Sequence, residues 1–323
     1  MKIILNMKKS LVIEPKPPYN FDATIFKPSH YPDPLSKYEA GKYWFPMRFK
    51  NKVYGIKMEN LGIVNRPKIK ISIFYKSNLS KNEMKEIVDE LDYRLEFNRD
   101  ISEFFRRFKN DKVLSPFIAK WYGMHGSCTH DLYGLLMVGI FLQNATVRRT
   151  VQMTEAMLKK YGTKVIFDGK EVYEFWKPEK IIKVSETDLR ALKVGYRAKL
   201  FIKLSETFVK EYIDEFELRK MSVENAKKKL IKLYGVGPET ARILLHEALH
   251  HYDIFEHVSP WQQKIYSKLL FGKKLVPVEK IIGYVNSHWG EWSVLATNYI
   301  WEDIFWRRKH GENIPWLEKE IRL

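Results

Sequence analysis

A single cysteine, Cys128, stands in 323 residues. One thiol excludes an intrachain disulfide framework, an all-cysteine iron–sulfur cluster and a zinc ribbon. A lone cysteine is most simply a small buried apolar residue. Long apolar runs are missing too: nothing approaches the roughly 18 consecutive residues that a membrane span needs. The opening "MKIILNMKKSLVIEPKPP" lacks the apolar core and small-residue cleavage site of a signal peptide. The expectation is therefore a soluble, cytoplasmic chain. Acids are the last shortage. Asp+Glu number 39 against 56 Lys+Arg, a formal charge of +17. A thermophile would enrich Lys and Glu together, and here the acids do not keep pace. The excess points to a polyanionic partner, nucleic acid before membrane.

What is present is a sizeable core. Hydrophobic residues make up 45% of the chain, and the length suits about two domains. "KIKISIFY" (68–75) alternates isoleucines with Lys and Ser, the pattern of a half-buried strand. "KYWFPMRF" and "KVYGIKME" are aromatic- and β-branched-rich and flank "KN" at 50–51, a hairpin signal. From about Asn82 the period becomes helical, with Met84, Ile87, Val88 and Leu91 in step. After about residue 100 the chain reads as helices joined by short Gly, Pro or Ser/Thr breaks. The fold class expected is α+β: a small N-terminal antiparallel β-sheet domain (1–100) packed on a mostly α-helical domain (101–323).

One stretch of the helical part carries chemistry. "MSVENAKKKLIKL" (221–233) predicts a helix capped by Ser222. "YGVG" makes a tight turn in which Gly235 and Gly237 supply backbone freedom. Pro238 suits the first position of the next helix, where Ala241, Leu244, Leu245 and Ala248 recur at helical spacing. The second helix opens with free N–H groups at a positive dipole end, an anion site. In a chain of this charge the expected anion is a DNA phosphate; the plain alternative is an ordinary helix–turn–helix joint.

The longer pattern Leu233, Gly235, Val236, Gly237, Thr240, Ala241 resembles the helix–hairpin–helix DNA glycosylase superfamily. "IFLQNATVRRTVQM" (140–153) is similar to the segment in which that superfamily carries its strand-inserting polar residues. "VGYRAKLFIKLSETF" (194–208) resembles the Gly-Tyr-Arg-Ala-Lys segment of 8-oxoguanine and alkyladenine glycosylases, and "WGEWSVLATNYIWEDIFW" (289–306) their closing helix. The resemblance implies a hairpin (221–250) that binds duplex DNA through Gly235, Val236, Gly237 and Thr240. It implies that Asn144 fills the gap left by a flipped base, that Arg149 reaches the orphaned partner, and that Tyr196 wedges into the stack. Read without it, Asn144 could cap a helix from Ala145, Arg149 be a solvated charge and Tyr196 a core aromatic.

Two departures bear on catalysis. The resemblance implies an aspartate opening the helix after the hairpin, to stabilise positive charge on the sugar. Ser259 occupies that place. "SPWQ" there reads as a capping box, so the helix start survives while the charge goes. Where strand-cutting branches keep a Schiff-base lysine, Glu239 stands, so a lyase step there is not expected. Glu239 is the first candidate for the missing carboxylate, with Asp253 and Glu256 as fallbacks. Lys199 and Lys264 remain as other amines. His246 and His250, four apart, invite a metal reading, but without "HExxH" or a cysteine partner a histidine-rich helix end is the plainer one. No metal and no cofactor are expected beyond room for a monovalent cation at the hairpin. The function expected is a monofunctional N-glycosylase that removes an alkylated or oxidised purine from duplex DNA, acting as a monomer in base-excision repair. The alternatives are a non-catalytic paralogue that recognises distorted duplex, and a general polyanion binder.

Overall fold

The computed structural model describes residues 2–126, 128–252, 255–312 and 314–315. Among the described residues eight strands form two sheets. β1 is Lys2–Ile4, β2 Met7–Ile13, β3 Lys37–Glu39, β4 Lys42–Phe49, β5 Lys52–Asn60, β6 Ile69–Tyr75, β7 Thr163–Phe167 and β8 Lys170–Glu174. The larger sheet is antiparallel in the order β2-β6-β5-β4-β3. Lys50 and Asn51 turn β4 into β5 with φ of 44° and 64°. Positive φ at both central residues matches the right-handed strand twist. The isoleucines of β6 point inward and meet the helix Lys81–Leu95 in an apolar core with Tyr54, Ile56 and Met58.

The smaller sheet corrects the expectation that only helices follow residue 100. Its order is β1-β7-β8, and β1 runs parallel to β7. In β7, Thr163, Val165 and Phe167 are buried and alternate with half-buried residues. Asp168 and Gly169, at φ of 50° and 71°, close the turn to β8. A five-residue strand inside "YGTKVIFDG" carries little local signal, and its parallel partner lies about 160 residues upstream. Gly55 on β5 accommodates this sheet. A Cβ there would lie 2.5 Å from the Phe167 ring, so the ring can pack against the strand only because the side chain is absent.

The helical part has two apolar clusters. One gathers Met137, Phe141, Met157, Phe201, Leu230 and Leu244. The other gathers Phe104, Ile265, Val285, Trp289, Tyr299 and Ile300. The helix Pro238–Glu247 packs in the first cluster and Pro260–Phe271 in the second. The predicted catalytic segment is therefore the seam between two cores. Among the described residues, no helix is long and apolar enough to cross a membrane.

A buried ionic junction ties the large sheet's helix to the helical part. Glu90 accepts from both Arg219 Nη atoms at 2.7 Å and from Arg94 Nε at 2.7 Å. Arg219 also lies over the Tyr93 ring, 3.8 Å from its centroid. Burial pushes the Glu90 carboxyl up, and the two guanidiniums outweigh it, so it sits below the ordinary carboxylate range. Removing one partner strands a buried charge. Arg219→Ala is expected to cost about 3–5 kcal/mol in a urea melt. In the native protein, this junction's stabilisation is present at neutral pH and lost as pH falls through the depressed carboxylate range. An unchanged urea midpoint in Arg219→Ala would refute the junction's role.

Candidate nucleic-acid interface

The hairpin forms as its residues dictate. Its first helix is Val223–Lys232, with Ser222 Oγ accepting from Asn225 N–H at 3.4 Å. Val236 is the buried plug of the turn, and Leu233 is buried beside it. Gly235, Gly237 and Pro238 face solvent. Gly235 has φ of 83°, and a Cβ on it would meet Leu200 Cδ2 at 2.9 Å, so glycine is structurally required there. Gly237 is different. Its φ is −91°, and an added Cβ would meet nothing within 4 Å. This corrects the expectation that backbone freedom explains both glycines: at Gly237 the protein leaves open space above the chain. Pro238 is the first helical residue, and no side chain caps the helix. The amides of its first turn therefore lack intrahelical acceptors. Thr240 is half-buried in that turn.

Asn144, Arg149 and Tyr196 come together at one rim. The chain between the helices Leu132–Leu142 and Val147–Tyr161 passes through Asn144, whose φ is 48°. Asn144 Nδ2 donates to the Tyr196 hydroxyl at 3.2 Å. Tyr196 is 45% exposed, so it is not a core aromatic. Arg149 reaches across and donates to the Lys193 carbonyl, three residues before Tyr196. Thr146, not Asn144, caps the helix Val147–Tyr161, accepting from Arg149 N–H at 3.3 Å. The Asn144 side chain is thus free of capping duty.

Arg197 holds this rim, a part its sequence position did not announce. Its side chain is buried; Nε donates to the Ile140 carbonyl at 3.0 Å and Nη2 to the Gln143 carbonyl. Those carbonyls lie at the end of the helix, where the N–H donors four residues on are lost; the Ile140 carbonyl also accepts the Gln143 N–H at 3.3 Å. Leu142, 52% exposed beside Asn144, is a second residue that sequence reading passed over. An apolar residue at a helix end gives no signal until its exposure is known.

The carboxylates behind the hairpin are mostly engaged. Glu239 accepts from Arg242 Nη2 at 2.8 Å and from Arg242 Nε at 3.1 Å, a two-point fork one turn along its own helix. His257 Nε2 lies 3.4 Å from the same carboxylate. Ser259 caps Pro260–Phe271 as expected. Gln262 Oε1 accepts both the Ser259 N–H at 3.0 Å and the Ser259 hydroxyl at 2.9 Å. Glu256 is paired with Lys227 of the first hairpin helix. Asp253 lies outside the described residues. His250 sits beyond the helix end at φ of 57°, so the four-residue spacing with His246 does not put the two on one helix face. His246 contacts Arg242 at 3.3 Å. Burial pushes the Cys128 thiol up to about 12, the behaviour of an inert thiol.

The fold is that of solved DNA glycosylases. No family model matches the sequence, but relatives and solved structures agree. The chain is 25% identical over 225 residues to a DNA-3-methyladenine glycosylase of Bacillus subtilis strain 168, covering 68% of this chain and 73% of that one. It superposes on the 3-methyladenine DNA glycosylase of Archaeoglobus fulgidus with a TM-score of 0.75, at 18% identity, over 91% of this chain and 99% of that one. The Clostridium acetobutylicum 8-oxoguanine glycosylase/lyase, solved with duplex DNA containing cytosine opposite 8-oxoguanine, matches with a TM-score of 0.68 at 18% identity, over 95% and 99%.

Arg197→Met keeps the volume and removes the donors. Each charged bond is worth about 1.5–3 kcal/mol, so a loss of that order is expected in a urea melt. Amide exchange should accelerate at 143–146. Unaltered exchange there would mean that the rim is held by something else.

Proposed function

We propose that this protein is a monofunctional DNA N-glycosylase of base-excision repair. It binds duplex through the hairpin, extrudes a damaged purine and hydrolyses its bond to the sugar. The observation that carries the reading is the rim. Asn144 and Tyr196, 52 residues apart in sequence, meet at 3.2 Å on an exposed edge, with Arg149 anchored beside them. A small amide, a guanidinium and an aromatic ring are the groups needed to replace a base's hydrogen bonds, read an orphaned partner and stack where a base was. The open space over Gly237 and the unengaged amides after it suit a phosphate that approaches the backbone.

In this reading Glu239 is the carboxylate that answers the positive charge growing on the sugar. It is the acid at the mouth of the hairpin's second helix, and Arg242 fixes its orientation. Base release then proceeds by water attack, without a Schiff base. Borohydride is accordingly expected to trap no covalent adduct; a trapped adduct would assign the chemistry to another amine, such as Lys199 or Lys264.

A second reading, a binding paralogue without chemistry, is favoured by two facts. The Ser259 hydroxyl is committed to Gln262, and the Glu239 charge is shared with Arg242. A lesion panel that scores base release and strand scission separately decides between the two. Glu239→Gln is expected to lower base release by orders of magnitude with lesion binding nearly intact. Full activity in that variant would remove Glu239 from the chemistry. If wild type releases no base and Ser259→Asp does, the binding paralogue is the right reading.

The hairpin has its own test. A Cβ on Gly237 would meet nothing within 4 Å, so Gly237→Val should stay folded, with a modest loss of thermal midpoint because valine is a poorer N-cap than glycine. Duplex affinity should nevertheless fall on the order of tenfold, about 1.4 kcal/mol, because the methyls occupy the phosphate's approach. Unchanged affinity would place the DNA anchor elsewhere.

A further inference from the structure

Residues 255–259 lead into the helix Pro260–Phe271, and their directions are fixed one by one. Phe255 and Val258 are buried in the second apolar cluster. Asn286 Nδ2 donates to the Phe255 carbonyl at 2.9 Å. Ser259 is held by Gln262 at the helix start. The two residues between the apolar anchors reach the hairpin instead. Glu256 pairs with Lys227 of its first helix, and His257 meets Glu239 of its second. A side chain presented from a segment anchored on both sides keeps its place without a ligand.

The contact between His257 and Glu239 is the one that bears on chemistry. Arg242 engages each oxygen of Glu239, with Nη2 at 2.8 Å from Oε1 and Nε at 3.1 Å from Oε2. His257 Nε2 lies 3.4 Å from Oε2. The guanidinium fixes the carboxylate, and the carboxylate faces the imidazole. That is the order of groups in which a third residue orients a base. Contacts of this kind are commonly long before substrate arrives and tighten afterwards. The ring nitrogen that faces a carboxylate carries the hydrogen, which leaves the lone pair on Nδ1. Among the described residues Nδ1 makes no hydrogen bond.

The pair is also open to a ligand. Both side chains are half-buried. Glu239 stands two residues after Gly237, whose backbone faces open space. Ser259, two residues after His257, has its hydroxyl committed to Gln262 and brings no proton acceptor of its own.

We propose that His257 is a catalytic residue, the general base of base release: Nδ1 takes the proton of the water that attacks the sugar, while Glu239 orients the ring through Nε2. This deepens the glycosylase reading and rests on it. The water oxygen bonds to the anomeric carbon as the bond from that carbon to the purine nitrogen breaks. The electron pair of the broken bond leaves with the base. The water's proton passes to Nδ1 and from there to the departed base, so one water is consumed and His257 is returned unchanged. The imidazolium formed in between lies against Glu239, whose charge answers both the ring and the sugar.

Single-turnover base release from a lesion that wild type processes tests this, with binding of the same duplex measured beside it. His257→Ala should lower the rate by on the order of 10²–10⁴-fold, with lesion binding nearly unchanged. Free imidazole should restore part of the lost rate to His257→Ala and leave wild type as it was. His257→Gln keeps a donor for Glu239 but has no base, so it should stay slow. If the ring served only to hold Glu239, glutamine would recover the rate and imidazole would not. A wild-type rate in His257→Ala, a full rate in His257→Gln, or a His257→Ala rate that imidazole leaves unmoved would overturn the proposal, while base release by wild type still upholds the glycosylase reading. A wild type that releases no base from any lesion overturns both.

Discussion

The guanidinium of Arg197 is buried against the end of the helix Leu132–Leu142, and the geometry of the exposed rim depends on it. The last carbonyls of a helix lose their donors four residues on and take others. Here one side chain serves the Ile140 and Gln143 carbonyls at once. That bond holds Gln143 in place, and Gln143 precedes Asn144. The same residue follows Tyr196, so the two halves of the rim are tied through a single side chain. Arg149 adds a second tie to the Lys193 carbonyl. A polar side chain on a loose loop would spend binding energy on ordering itself; these are ordered before any ligand arrives.

Behind the rim, the acids divide by partner. Glu90 is enclosed by two arginines and joins the sheet's helix to the helical part. Glu239 is forked by Arg242, and Glu256 is tied to Lys227 of the hairpin. The Glu239 and Glu256 pairings fix segments at the seam between the two apolar clusters of the helical part.

The sheet region illustrates how far local pattern reaches. The hairpin at Lys50 and Asn51, the strand ending at Tyr75 and the switch to helix near Asn82 were all readable, because each is specified by neighbours within a few residues. The strands 163–167 and 170–174 were not. They are short, and the parallel partner of the first comes from the chain's beginning. Pairing over that separation leaves no periodic trace of its own.

At the candidate site the same division holds. The sequence by itself determined the hairpin, the Ser222 and Ser259 caps and the proline that opens the second helix, because caps and turns are set by residue type at fixed offsets. It also determined that Ser259 brings no charge to its position. Only the tertiary structure decided that Asn144 and Tyr196 touch, that Gly237 faces empty space where Gly235 faces Leu200, and that Lys227 takes up Glu256. Whether a carboxylate is paired or free depends on which groups other segments bring within about 4 Å, and chain packing sets that distance.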